Sequence, residues 1–337
     1  MNFINTESVS LNLRDKAINT EAKTILITNF ENSEQEKDLT EPPNCNGYGR
    51  IRHFRIGNCI DWPKNPLPIL PAQKALNIPS DEMIRAQVFQ NAVCNWRCWY
   101  CFVDFKLLSG NKKYSAHLTC VTLLDYYQEQ EAPPLVIDLT GGQPDITPEW
   151  VPWMMEALID RGLSNHVYLW SDDNLSNDFF WKYLTEEQIK LVSSYRNYGR
   201  VCCFKGIDEL SFSHNTGAEP SFFNAQFMLW ERLLKAGIDL YSYITLPAIT
   251  STDFYGAIGS VLDKIQSVDE NYPLRMVPLK IQKFTPVISR MKDLQIDLLE
   301  GQENAIEVWQ QEMKKRFSAE DLNKQITDVK LKFRKYE

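Results

Sequence analysis

From Arg85 onward, short apolar runs alternate with longer stretches whose apolar residues recur at helical spacing. The runs predict six strands, near 86–93, 135–139, 166–170, 200–204, 239–245 and 276–282. The intervening stretches predict helices over 99–108 with 121–130, 148–161, 178–194, 222–236 and 253–267. Local signals sharpen several ends. Thr147 reads as an N-cap with Pro148 at the first helical position, Thr185 and Gln188 form a capping box, and Gly162 and Gly237 close two helices. Strands and helices alternating in this way predict βαβ units of the α/β class, with parallel strands curving into a partial (βα)6 TIM-like barrel. An open doubly wound sheet fits the same alternation, but no glycine-rich Rossmann or P-loop signature follows any strand. After Arg290 the pattern predicts helices over 303–316 and 319–328, a C-terminal helical extension, and 329–336 reads as an added strand or a loose tail.

Residues 1–84 differ. The stretch 41–79 is rich in proline, which removes backbone donors and interrupts both helices and central strands, so an irregular N-terminal arm is expected. The arm also carries Arg50, Arg52, His53 and Arg55, a basic cluster that reads either as a solvated loop or as cover for an anionic substrate. The expected division is therefore 1–84 as the arm, 85–290 as the barrel core and 291–337 as the helical extension. Composition narrows the function. The 337 residues hold 36 Lys+Arg against 44 Asp+Glu, a net charge of −8 that argues against a bulky nucleic-acid substrate. No stretch is long and apolar enough for a membrane span or a signal peptide, so a cytoplasmic location is expected. There, disulfides are disfavoured, and the 8 cysteines call for packing, metal or redox chemistry.

Three of them stand together at the end of a predicted strand: Cys94-Asn95-Trp96-Arg97-Cys98-Trp99-Tyr100-Cys101. Thiolates that close can wrap a metal. Zinc would want a fourth ligand, and no paired CxxC follows to supply one. A four-iron cluster held by three cysteines leaves one iron open for a small molecule. This spacing, with an aromatic residue before the third cysteine, resembles the radical S-adenosylmethionine superfamily, and the likeness extends from about Arg85 to about Phe284. The resemblance implies that Cys94, Cys98 and Cys101 ligate one 4Fe-4S cluster, with Tyr100 beside it. It also implies that S-adenosylmethionine chelates the open iron and is cleaved reductively to methionine and a 5′-deoxyadenosyl radical, which abstracts a hydrogen atom from an unidentified substrate.

Three further motifs fit that resemblance. Thr140-Gly141-Gly142-Gln143-Pro144 follows the second predicted strand, where glycines let backbone approach a ligand closely. It is similar to the Gly-Gly-Glu-Pro turn that holds the methionine amino group in the superfamily, with Gln143 in place of the glutamate. Ser171-Asp172-Asp173-Asn174 ends the third strand, and the resemblance implies ribose contact by Ser171, Asp173 and Asn174; a local turn is the plainer reading. The fourth strand ends in Cys202-Cys203-Phe204-Lys205-Gly206, with His214-Asn215-Thr216-Gly217 beyond it. This looks like glycyl-radical-enzyme activating proteins, in which such a lysine lies near the methionine carboxylate. If Lys205 points into the barrel, alternation turns Cys203 and Val201 inward and sends Cys202 and Phe204 toward the helices. Cys203 is then either a hydrogen-atom donor or a packed thiol, and His214 reads as a loop or polar contact. On the sixth strand, Lys280 and Gln282 are candidates for adenosine or substrate.

With no cysteine after Cys203, a single cluster is expected. The implied substrate is a small molecule, a nucleoside or a protein glycine, and the implied reductant is a low-potential flavodoxin or ferredoxin. Two other classes share the cysteine motif: an iron-sulfur electron carrier and a zinc-stabilised interaction protein.

Overall fold

The structure is a computed structural model that describes residues 3–57 and 59–334. Ten strands are distinguished: β1 (Ile18–Asn19), β2 (Thr24–Thr28), β3 (Gly49–Arg55), β4 (Met83–Gln90), β5 (Ser115–Thr119), β6 (Val136–Thr140), β7 (Tyr168–Asp173), β8 (Tyr198–Lys205), β9 (Leu240–Thr245) and β10 (Met276–Leu279). The helices are α1 (Thr6–Ala17), α2 (Ile69–Leu76), α3 (Cys120–Gln128), α4 (Trp150–Asp160), α5 (Phe179–Tyr183), α6 (Glu186–Ser194), α7 (Glu209–Thr216), α8 (Phe222–Lys235), α9 (Phe254–Val268), α10 (Thr285–Ile288), α11 (Asp293–Arg316) and α12 (Ala319–Leu322).

Seven strands form one sheet in the order β10-β9-β8-β7-β6-β4-β3. The six from β4 to β10 run parallel, as the alternation predicts, and the sheet curls into a partial TIM-like barrel. Helices cover its outer face, so β6, β8 and β9 are buried along their whole length, as expected for a sheet packed on both sides. The outer layer joins residues such as Phe204 and Cys202 to Trp230 and Leu233 of α8. The concave layer joins Val201, Cys203, Tyr168, Trp170, Tyr241 and Val277 to Leu67 and to Ile69 and Ala72 of α2, which plug its floor. The inward turn of Val201 and Cys203 agrees with the alternation argument.

The arm is more ordered than its prolines imply. β3 adds antiparallel to the edge of β4, with Arg50 opposite Val88 and Arg52 opposite Ala86. Its chain then crosses toward the far edge, where Trp62 Nε1 donates to the Pro278 carbonyl at 2.9 Å. β1, β2 and β5 form a separate antiparallel sheet beside the end of β4.

Several expected helices are corrected. The stretch 99–108 is a loop with a single 3-10 turn at Phe105–Leu107, because its backbone is committed to the cysteine loop. The stretch 178–194 divides into α5 and α6, and the Thr185 capping box, which is present, starts the second of them. Glu149, not Thr147, precedes α4, since the Thr147 hydroxyl is engaged by Asn91 Nδ2 at 2.9 Å. Residues 209–216, expected as loop, form α7, capped by Asp208 and closed by Gly217. α11 begins ten residues before the expected start at 303, α12 is shorter than expected, and no strand forms among the described residues of 329–336, of which 335 and 336 lie outside the description. Gly162 and Gly237 do follow α4 and α8, both at positive φ.

Candidate functional site

The C-terminal ends of parallel strands share one rim, the usual position of active sites in barrels of this kind. Here that rim gathers the loop after β4, the turn after β6 and the ends of β7, β8 and β9. Cys94, Cys98 and Cys101 lie on the first of these, all with free thiols. Neighbouring elements fix the loop through its backbone. Cys94 N–H donates to Leu108 O at 3.0 Å, while Arg97 and Trp99 N–H groups donate to Thr216 and Asn215 carbonyls of α7 at 3.0 and 3.2 Å. Arg97 Nη1 donates to Cys94 O at 2.5 Å, and Arg290 Nη1 donates to Cys101 O at 2.6 Å. Asn95 Nδ2 reaches Ser10 of α1 at 2.8 Å and Ser176 at 2.9 Å, and Trp96 Nε1 reaches Thr6 of α1 at 3.1 Å. The N-terminal helix is therefore a buttress of the cysteine loop.

Among the described residues no three His, Cys, Asp or Glu side chains converge on a point that one metal ion could occupy. A four-iron cluster asks for something different, since each thiolate binds its own iron. Three free thiols on one fixed loop, all within reach of the Lys205 charge, fit that donor set. Burial pushes the Cys98 thiol up to about 12 and raises Cys94 and Cys101 as well, against the pull of Lys205 on all three. Arg97, Arg290 and Lys205 thus supply the positive surroundings in which thiolates can be held.

The glycine turn packs against this loop. Gly141 and Gly142 have φ of +71° and +60°, and Gln143 N–H donates to Val93 O at 2.8 Å. A Cβ on Gly142 would stand 2.3 Å from Val93 O and 2.4 Å from Asn91 O, both backbone atoms that cannot move aside. For a Cβ on Gly141 the nearest atoms all belong to the Gln90 side chain, not to backbone. Gly142→Ala should therefore cost about 3–5 kcal/mol, strain and clash together. Gly141→Ala should cost clearly less, a contrast readable in urea unfolding midpoints.

Gln143 is wholly buried, with both ends of its amide used. Nε2 donates to Asp173 Oδ1 at 3.0 Å, and Oε1 accepts from Asn174 N–H at 3.0 Å. Its side chain therefore braces β7 against the glycine turn. Asn174 Nδ2 completes the bridge, donating to Gly142 O at 3.4 Å and to Cys94 Sγ at 3.8 Å.

The ribose candidates separate by face. Ser171 is buried on the helix side, sharing a 2.7 Å hydrogen bond with the Tyr198 hydroxyl. Asp173 lies on that side too, 3.5 Å from Arg200, whose Nη1 also donates to Asp145 at 2.9 Å. The concave residue is Asp172, which alternates with Trp170 and accepts a short hydrogen bond from the Thr140 hydroxyl. Lys205 also faces the concavity, its Nζ 6.0 Å from the Tyr100 ring centroid, and the Tyr100 hydroxyl pairs with Thr245 at 2.9 Å. Cys203 is on the same face, its thiol pushed up to about 12 by burial. His214 lies in α7, partly buried, and burial lowers its affinity for a proton. Lys280 and Gln282 are turned elsewhere: Lys280 pairs with Glu303 at 3.0 Å, and Gln282 Nε2 contacts Cys59 Sγ at 3.1 Å.

The basic cluster of the arm divides as well. His53 meets Glu41 at 2.8 Å and Arg55 is exposed, whereas Arg50 and Arg52 share the concave parity of Phe54. Asp138, on β6, joins them there. Sequence reading passed over Asp138 because a lone carboxylate inside an apolar run carries no motif. Only the register with β3 and β4 reveals it.

Neither a protein-family model nor a curated protein matches the sequence. Solved structures that match include Streptococcus suis SuiB, at 14% identity and TM-score 0.36, over 53% of this chain and 36% of that one. SuiB bound to S-adenosylmethionine matches at 14% identity and TM-score 0.37, over 59% of this chain and 41% of SuiB. SuiB bound to the precursor peptide SuiA matches at 14% identity and TM-score 0.36, over 63% and 44%. The chain thus spans less than half the length of SuiB, and none of these three supports the likeness to glycyl-radical-enzyme activating proteins.

Proposed function

We propose that the chain is a radical S-adenosylmethionine enzyme whose core is 85–290. The observation that carries this reading is one rim holding three free thiols of a CxxxCxxC loop, a glycine turn packed on that loop, and Lys205 close enough to act on all three thiols. In this reading Cys94, Cys98 and Cys101 hold one 4Fe-4S cluster, and Arg97, Arg290 and Lys205 offset the charge of their thiolates. Such a cluster, when bound, would supply the electron that cleaves S-adenosylmethionine. The backbone of Gly141 and Gly142 lies open to the methionine end, and Asp172 and Asn174 are the polar groups at the β7 end best turned toward the ribose. Ser171, Asp173 and Gln143 position these groups from behind. A flavodoxin or ferredoxin would deliver the electron, and the setting would be cytoplasmic. Among the described residues no helix is long and apolar enough to cross a membrane.

The test is anaerobic reconstitution with iron and sulfide, followed by iron analysis, a visible spectrum, and chromatography after adding dithionite and S-adenosylmethionine. A brown protein that releases 5′-deoxyadenosine is expected. Iron without that product would favour an electron carrier, and zinc in place of iron an interaction module.

A further inference from the structure

Arg50 on β3 and Asp138 on β6 lie in one row across the sheet, since Arg50 pairs with Val88 and Val88 pairs with Asp138. Neighbouring strands are about 4.8 Å apart, so the two Cα atoms stand roughly 10 Å apart, with Val88 between them. All three share the concave parity of Ala86 and Val136. One row further from the rim, Arg52 pairs with Ala86, and Ala86 with Val136.

Asp138 is 0% exposed, and neither of its carboxylate oxygens has a hydrogen-bond partner. Arg50 is 5% exposed, and its Nε and Nη2 have none either. Its guanidinium lies 5.3 Å from the Phe102 ring centroid and 5.8 Å from that of Phe30, packed on aromatics without an anion. A buried acid and a buried base on the same face of the sheet, with no ion pair between them, have each lost hydration without gaining a partner. The same sheet shows the alternative on its other face, where Arg200 and Asp145 close to 2.9 Å. Burial raises the proton affinity of Asp138, with Asp172 adding to the effect and Arg52 and Arg50 opposing it.

We propose that Arg50, Arg52 and Asp138 form a binding subsite inside the half-barrel for a small molecule with an anionic group, a carboxylate or a phosphate, for the arginines and an amine or hydroxyl for Asp138. A ligand lodged between them gives both orphaned groups partners at once, so its two ends reinforce each other. That the occupant is the substrate rests on the radical reading above; that the site binds such a molecule does not. Phe102 ties the subsite to the cysteine loop, because it follows Cys101 directly and packs on Arg50.

The test is calorimetric titration of the reconstituted protein, and of the protein before reconstitution, with γ-aminobutyrate and phosphoethanolamine. Acetate, inorganic phosphate and butylamine serve as single-group controls. At least one zwitterion should bind in the low millimolar range, at least tenfold more tightly than either matching single-group compound, and the better of the two identifies carboxylate or phosphate. Arg50→Gln and Asp138→Asn should each weaken that binding at least tenfold. Asp138→Asn should also melt higher than the parent at pH 7.5, since it removes a buried, unpartnered carboxylate. Zwitterions that bind no better than the single-group compounds, or variants that keep the affinity, overturn the proposal. An Asp138→Asn protein that melts lower overturns it too, for the carboxylate is then part of the fold. Binding without 5′-deoxyadenosine formation keeps the subsite and removes the radical reading, and the reverse removes the subsite alone.

Discussion

Cys98→Ala is expected to give a folded protein that takes up almost no iron on reconstitution, with 5′-deoxyadenosine formation reduced by more than about a thousandfold. Cys98 is the middle ligand of the proposed set, and its thiol interacts electrostatically with Cys94, Cys101 and Lys205. Removing Sγ leaves two thiols, too few for a stable cluster with one open iron. The fold should tolerate the change, because the loop is held by main-chain bonds that survive it: Cys101 N–H to Cys98 O at 2.9 Å, Trp99 N–H to Asn215 O at 3.2 Å and Arg97 N–H to Thr216 O at 3.0 Å. Loss of one small buried sulfur costs about 1 kcal/mol. Iron content and the urea midpoint therefore separate ligand loss from unfolding. Cys203→Ala is the control, since it removes a concave thiol from outside the loop. It should keep its iron, and a Cys98→Ala protein that also keeps iron and activity would end the ligand assignment.

The parallel core was readable because each strand is a short apolar run followed by a helical stretch, and all six expected strands are present. β3 was not readable from the same logic. Its sequence, Gly49 to Arg55, mixes three arginines and a histidine with only two apolar residues in a proline-rich stretch, and only pairing with β4 makes it a strand. The third strand illustrates a second limit. Ser171, Asp172 and Asp173 look like a turn, so the expected strand stops at 170. In the structure they continue the ladder, Asp172 opposite Val201 and Asp173 opposite Cys202. That extension decides which side chain faces the concavity: Asp172, with Ser171 and Asp173 on the helix side. The cysteine loop and the glycine turn were legible because each is local, set by a spacing of a few residues. The arginine and aspartate pair is not, because it depends on the register of three strands far apart in the chain.

Gln143→Glu, which would restore the glutamate of the turn this sequence resembles, is expected to be among the most damaging single changes near the site. In Gln143 the amide nitrogen donates to Asp173 Oδ1 at 3.0 Å while the oxygen accepts from Asn174 N–H. A glutamate keeps the second bond and turns the first into two carboxylates in contact, wholly shielded from water. Arg200, 3.5 Å from the other oxygen of Asp173, is already shared with Asp145 and offsets only part of the repulsion. One carboxyl of the new pair must hold a proton, so its folded-state pKa rises above the unfolded one. Stability lent by that proton is present at low pH and lost as pH rises through the raised value. The variant should thus lie within about 1 kcal/mol of the parent near pH 5 and fall about 3 kcal/mol below it at pH 8. Urea unfolding at the two pH values measures this, and an equal loss at both would exclude the carboxylate contact as its cause. The damage should reach the proposed cluster, because Asn174 ties the same turn to Cys94 Sγ. Reconstituted iron content should therefore decline with rising pH in the variant while the parent stays level. The amide at position 143 is then a consequence of Asp173: a strand that brings a carboxylate to the back of the glycine turn requires a donor opposite it.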